Sequence, residues 1–164
     1  MSLDITLTSE TKVARKFSGI YIRRNGQTEE ISYSEFKDLY PDKEPVRVVI
    51  EEEILTNQVY ECNITHNLSV MAKKSDLYFA LWKPYTLHKD YNPDDYVEDK
   101  LKVRAERLIP HIVIGLRNLK EKPELYKPYS AVNGWGTYEQ FVLFVGKYLE
   151  ACKKYPNAIV NVSR

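Results

Sequence analysis

Two short stretches, SLDITLT at residues 2–8 and AIVNVS at residues 158–163, decide the fold of this chain. In the first, leucine and isoleucine alternate with polar residues, which is the period of a strand with one buried face. The second is rich in β-branched residues and follows Pro156-Asn157, where the preceding helical pattern stops. Because the chain between them is largely helical in its second half, we expect a single α+β domain over residues 1–164. Its antiparallel or mixed sheet would pair the N- and C-terminal strands and pack against about three helices.

The first third of the chain contains the clearest turn signal. Asn25-Gly26 favours positive φ and predicts a tight hairpin between strands at residues 19–22 and 30–33. We therefore interpret residues 17–45 as a hairpin insertion that elaborates the domain.

Two further strands are predicted before the helical half begins, at residues 46–50 and 54–64. The run Glu51-Glu52-Glu53 lies between them and interrupts the apolar pattern. We expect a solvated edge or a turn at these glutamates. The second strand closes the β-rich half of the chain.

Three helical regions follow. Thr65 can cap a first helix that Pro84 ends, and the capping box formed by Thr137 and Gln140 predicts the start of the last one. Between them lies the strongest helical pattern of the chain, which contains Pro110. The apolar face predicted for that middle helix consists of Leu101, Ala105, Leu108, Ile109, Ile112, Val113, Leu116 and Leu119.

The composition excludes several classes of partner. The 164 residues include 24 Lys and Arg against 23 Asp and Glu, a net charge of +1. This balance gives no overall field that attracts nucleic acid or anionic lipid, so we expect neither as a partner. No apolar run approaches the roughly 18–20 residues that span a bilayer, and the first residues lack a secretory pattern. We therefore expect a cytoplasmic protein with no membrane partner, and the oligomeric state stays open.

Standard catalytic and metal motifs are absent from the sequence. Cys62 and Cys152 have no CxxC spacing, which argues against a disulfide framework or a zinc site. There is no GxSxG, GxxxxGK[ST], GxGxxG or HExxH motif. We expect no metal and no cofactor, and a binding role is favoured over an enzymatic one.

The first candidate site is NITHN at residues 63–67, where a predicted strand meets a predicted helix. Backbone donors converge at such a corner, which suits a polar ligand bound by Asn63, Thr65, His66 and Asn67. His66 could serve as acid, base or donor near neutral pH, and it is the one candidate for a catalytic residue. The alternative interpretation is structural, with Thr65 capping the helix and the asparagines bonding turn backbone.

The second candidate site is NGWG at residues 133–136. Glycines on both sides of Trp135 allow a sharp turn, so the indole either seals the core or forms a platform for a ligand beside Asn133. Our first hypothesis joins the two motifs in one pocket for a small polar ligand or nucleotide. It requires the two loops to be neighbours in the fold. An enzyme that uses His66 as general base is a less favoured version of the same site.

A different hypothesis concerns the tyrosine-rich surface at residues 83–100, which includes the loop at residues 85–97 and directly follows Trp82. Trp82, Tyr85, Tyr91 and Tyr96 are the kind of side chains that form protein contacts, so the segment predicts an interaction module. An ordinary solvated surface is the alternative.

Six motifs occur along the chain: SLDI at residues 2–5, NITHN at 63–67, LW at 81–82, NGWGTYEQF at 133–141, YLEACKKYPNA at 148–158 and VNVSR at 160–164. Together they resemble a group of small uncharacterised proteins encoded in bacterial and phage genomes. The resemblance covers the start of the chain and residues of about 60–84 and 130–164, and residues 17–45 and 85–97 lie outside it. It implies a phage or bacterial setting, where such a protein could oppose host defence by sequestering a signal molecule or blocking a host protein.

Overall fold

The computed structural model describes residues 2–95 and 101–164. Strands and helices are mixed along the chain, with short 3-10 turns between several of them. The elements are β1 (Ser2–Phe17), β2 (Ile20–Arg24), β3 (Gln27–Ile31), α1 (Tyr33–Leu39), β4 (Val49–Thr65), α2 (Ser69–Lys74), α3 (Tyr78–Trp82), β5 (Val103–Arg104), α4 (Ala105–Glu121), α5 (Pro123–Tyr126), α6 (Tyr138–Lys154) and β6 (Ile159–Ser163).

The main sheet has four strands in the order β4-β1-β6-β5. β1 and β6 are antiparallel, with Ile5 opposite Val162, and β5 pairs with β6 in the same sense. Leu3, Ile5 and Leu7 are fully buried while their neighbours are half-buried, as the alternation predicts. The α+β class and the pairing of the N- and C-terminal strands are therefore confirmed.

The helices cover this buried face of the sheet. Ile112 of α4 and Phe141, Val145 and Tyr148 of α6 are fully buried in one core with the β1 side chains. α6 begins where expected, since Thr137 accepts from the Gln140 backbone and the Gln140 side chain accepts from the Thr137 backbone. Two long helices and the short α2–α3 pair thus correspond to the helical regions predicted from the sequence.

The predicted apolar face of α4 was wrong at two positions. Leu101 lies before the helix, because the chain first pairs with β6 at Val103–Arg104. Val113 is 42% exposed, and Gly115 takes a place on the buried face. A Cβ on Gly115 would lie 2.3 Å from Cγ of Leu77, so close packing there requires glycine.

Of the two alternatives predicted for Glu51-Glu52-Glu53, the turn was wrong, whereas the solvated edge is present because β4 is an edge strand of the main sheet. β4 continues through these residues, all of which are exposed. Lys12 pairs with Glu52 at 3.0 Å, and Arg15 pairs with Glu53. Cations on β1 therefore balance the carboxylates, and the strand needs no break.

Contacts divide the chain into two compact units. The first, here called the core unit, comprises Met1–Glu10 and Thr56–Arg164, and the second, the hairpin unit, comprises Thr11–Leu55. The prediction of one domain with an insertion at residues 17–45 stays a prediction.

The hairpin unit contains the tight turn that the sequence predicts. β2 and β3 pair in antiparallel register from Ile20–Ile31 to Arg24–Gln27. Asn25 and Gly26 connect them with φ of 52° and 82°, the positive values of a type I′ turn.

None of the helices in the described part of the chain has the length and apolar character to cross a bilayer.

Candidate functional site

The first candidate motif forms a corner at the end of β4. The Thr65 side chain accepts from the backbone N–H of Asn67 at 3.4 Å, and a 3-10 turn at His66–Leu68 follows. Leu68 is fully buried and anchors the turn to the core. Thr65 therefore caps this turn, as the structural interpretation predicts.

The second motif forms a tight loop before α6. Ala131 N–H donates to the Gly136 carbonyl at 2.9 Å, and the Asn133 carboxamide oxygen accepts from Trp135 N–H at 3.0 Å. Gly134 and Gly136 have φ of 74° and 108°, so both occupy the region that favours glycine. These bonds hold the Trp135 backbone on a short, closed loop.

The two motifs are neighbours, as the first hypothesis requires. Asn67 Nδ2 donates to the Trp135 carbonyl at 2.9 Å. A Cβ on Gly136 would lie 2.7 Å from Cγ2 of Thr65, so the loop approaches the corner as closely as glycine permits. Between them is a cleft of about 310 Å³, here called the corner cleft. Its lining residues are Thr65, Gly134, Trp135, Gly136 and Gln140.

Trp135 is 74% exposed at this cleft. The interpretation in which its indole seals the core was therefore wrong, because Phe141 and Val145 occupy the core beneath α6. The exposed ring agrees with the other interpretation, a platform beside Asn133.

Every side chain that lines the corner cleft is uncharged. The first amides of α6 are also largely occupied, since Tyr138 N–H donates to the Ser130 hydroxyl and the capping box uses those of Thr137 and Gln140. An anion would find little compensation here. The arrangement suits an uncharged ligand with a flat apolar surface. Gln140 was missed as a lining residue, although the capping box places it on the first turn of the helix.

His66 lies behind the corner and does not line the cleft. Its Nδ1 accepts from the Trp82 indole N–H at 3.3 Å, and its Nε2 is buried with no hydrogen-bond partner among the described residues. A neutral imidazole that accepts at Nδ1 carries its hydrogen on Nε2, so neither nitrogen is free to act as a base in the cleft. Asn63 is likewise directed elsewhere, since its amide donates to the Asp4 carboxylate.

Among the described residues, the predicted contact side chains Trp82, Tyr85 and Tyr91 do not form an exposed cluster. Trp82 is only 2% exposed, so its assignment to a protein-contact surface was wrong: the indole packs in the core and stacks on Tyr78 at 5.8 Å. Tyr85 and Tyr91 are half-buried with ring centroids 5.9 Å apart. Tyr96 lies outside the described residues.

Neither cysteine is arranged as a nucleophile. Burial raises the pKa of Cys62 to about 11 and that of Cys152 to about 12, so both thiols are protonated at neutral pH. Both are free. Across residues 2–95 and 101–164, no group of three or more His, Cys, Asp or Glu side chains could hold a metal ion.

Comparison of the chain with protein-family models, curated proteins and solved structures gives no match.

Proposed function

We propose that this protein binds a small uncharged polar ligand with a planar ring, such as a nucleobase or nucleoside, in the corner cleft. The observation that supports this most is the hydrogen bond from Asn67 to the Trp135 carbonyl, which joins the two candidate motifs around one cavity. Sequestration of a host-defence signal molecule, which the resemblance to phage proteins implies, is a stronger claim that rests on this binding and would require a signal with an uncharged, planar part. A cytoplasmic location remains a prediction.

The exposed indole provides the main binding energy in this proposal. An aromatic ring that is 74% exposed gains favourable contact area when a flat ligand stacks on it. The loop bonds of Asn133 and the Asn67 amide fix the backbone of Trp135, so little conformational entropy is lost on binding.

Polar groups near the ring provide the specificity. The Gln140 side chain uses its oxygen to accept from Thr137, which leaves the amide hydrogens at Nε2 for a ligand carbonyl or ring nitrogen. Asn133 does not line the cleft, and its oxygen accepts from Trp135 N–H. The Gln140 donors match the acceptors on the edge of a nucleobase.

Protein interaction through the tyrosine-rich segment is the competing function. Trp82 is buried, and Tyr85 and Tyr91 are half-buried, so this part of the described chain offers little exposed aromatic surface. No observation favours this function over ligand binding.

Native mass spectrometry with a pool of nucleosides and matching nucleotides tests the proposal. We expect uptake of a nucleoside by the wild-type protein, and weakening by roughly 5- to 150-fold in Trp135→Ala, the range for loss of one base stack. Because Trp135 is exposed, the melting temperature of this variant should equal that of the wild type. Tyr21→Ala, which removes a 58% exposed ring from the hairpin unit, is the matched control and should bind normally.

The charge of the ligand is a second arm of the same experiment. An uncharged cleft predicts that a nucleoside binds at least as tightly as its monophosphate. No uptake by the wild type, or equal uptake by Trp135→Ala, would overturn the proposal.

A further inference from the structure

The core unit contains a larger cavity that shares no residue with the corner cleft. It has a volume of about 760 Å³ and lies between β4, α4 and α6. We propose that this α4–α6 groove is a binding site for an amphipathic anion, specifically a single long-chain carboxylate. Its volume falls within the range of small-molecule sites.

The floor of the groove is apolar. Val59 of β4, Leu116 of α4, and Val142 and Leu149 of α6 contribute aliphatic surface. Tyr60 adds an aromatic wall that is held in place by stacking on the buried ring of Tyr148 at 6.4 Å. An aliphatic chain laid along this floor would remove the exposed apolar surface from water.

The rim of the groove is cationic. Lys120 comes from α4, and Lys147 and Lys154 come from α6, against the single carboxylate of Glu150. Glu150 pairs with Lys153 at 3.1 Å, and the ion pairs found among the described residues include none of the three rim lysines. Lys154 Nζ lies 5.1 Å from the centroid of the Tyr155 ring, which also lines the groove. An apolar floor with this excess of positive charge complements a ligand that has an apolar body and one anionic head.

Gly146 provides an independent reason to regard the groove as a binding site. Glycine destabilises the interior of a helix, so a glycine there needs a structural reason. Gly115 of α4 has one, because its Cβ would lie 2.3 Å from Leu77. Gly146 of α6 has none: a Cβ there would meet no atom within 4 Å, and the residue lines the groove. The missing side chain widens the groove where a ligand would lie.

Displacement of cis-parinaric acid by oleate, followed by fluorescence, tests this site in the full-length protein. We expect saturable binding to the wild type and at least tenfold weaker binding to Gly146→Phe, whose ring would occupy the groove. Phenylalanine favours a helix over glycine, so the melting temperature should not fall. Val113→Phe is the matched control, since it adds a ring to an exposed position of α4 outside the groove and should bind like the wild type.

A second set of variants distinguishes the contribution of the carboxylate to binding from that of the aliphatic chain. Lys147→Glu combined with Lys154→Glu should weaken oleate binding at least tenfold and leave binding of methyl oleate within twofold of the wild type. Unchanged oleate binding in Gly146→Phe, or equal effects of the lysine changes on oleate and its methyl ester, would overturn the proposal. So would binding to anionic lipid vesicles without binding of monomeric oleate.

Discussion

The core unit and the hairpin unit are built from similar strands and turns but are held together differently. In the core unit, side chains such as Leu3, Trp82 and Phe141 are 0–2% exposed and form one packed core. In the hairpin unit, whose residues are all described, Ile20 is the only buried residue. The difference shows that regular secondary structure alone does not indicate where the burial energy lies.

The hairpin unit depends on hydrogen bonds and ion pairs at the surface. Ser32 and Glu35 form a capping box at α1, and Ser18 N–H donates to the Val48 carbonyl at 2.8 Å. Lys37 pairs with Glu44, and each shifts the pKa of the other toward the charged form. Since solvent-exposed interactions of this kind contribute little each, this unit should open locally before the core unit unfolds.

Matched isoleucine truncations give the largest expected difference between the units. Ile112→Ala leaves a cavity at a fully buried position and should lower the free energy of unfolding by about 2–5 kcal/mol. Ile50→Ala removes the same atoms from a side chain that is 61% exposed and should change it by less than about 0.5 kcal/mol. Urea titrations followed by far-ultraviolet circular dichroism measure both. Similar losses of unfolding free energy in the two variants would contradict the conclusion that the burial energy lies in the core unit.

Local chemistry explains what the sequence predicts well. The Asn25-Gly26 turn and the Thr137–Gln140 capping box involve residues within a few positions of one another, and both form as predicted. The alternation in β1 also identifies its buried face, because a strand has only two faces.

Predictions fail where the deciding contact is remote in sequence. Glu52 and Glu53 of β4 pair with Lys12 and Arg15, which lie about 40 residues earlier in the chain. Trp82 is buried in the core, where His66 accepts its indole hydrogen, whereas Trp135 is exposed on a loop. No local pattern distinguishes the two tryptophans.

The candidate site was predictable only in part, because its turns are local in sequence whereas the directions of its side chains are set by remote contacts. The turn residues of NITHN and NGWG identify both motifs in the sequence. The first hypothesis required the two motifs to be neighbours, and the hydrogen bond from Asn67 to the Trp135 carbonyl shows that they are. Within the corner, pleat and turn direct Asn63 to Asp4 and His66 to Trp82, away from the cleft. Such directions depend on the side chains that surround each residue in three dimensions.

The same capping box occurs in both units, and its removal should have an effect of intermediate size on stability. Thr137→Ala should lower the free energy of global unfolding by about 1 kcal/mol, since α6 packs on the core. Ser32→Ala removes the equivalent bond from α1, which has no buried residue, so only local protection of α1 should fall. Hydrogen exchange resolved by residue distinguishes the two results. Global destabilisation by Ser32→Ala would show that α1 unfolds together with the core.

The smallest expected effect concerns the Lys12–Glu52 ion pair, whose side chains are 70% and 48% exposed. A double-mutant cycle with Lys12→Ala and Glu52→Ala should give a coupling energy of about 0.2–1 kcal/mol in the local opening of β1 and β4, measured by hydrogen exchange. In 1 M NaCl this coupling should nearly vanish, because exposed charges are then screened within about 3 Å. A coupling that persisted in salt would mean that these side chains are shielded from solvent, and the hairpin unit would then be covered by another surface in solution. The salt dependence of this coupling therefore tests whether Lys12 and Glu52 are as exposed to solvent as the structure indicates.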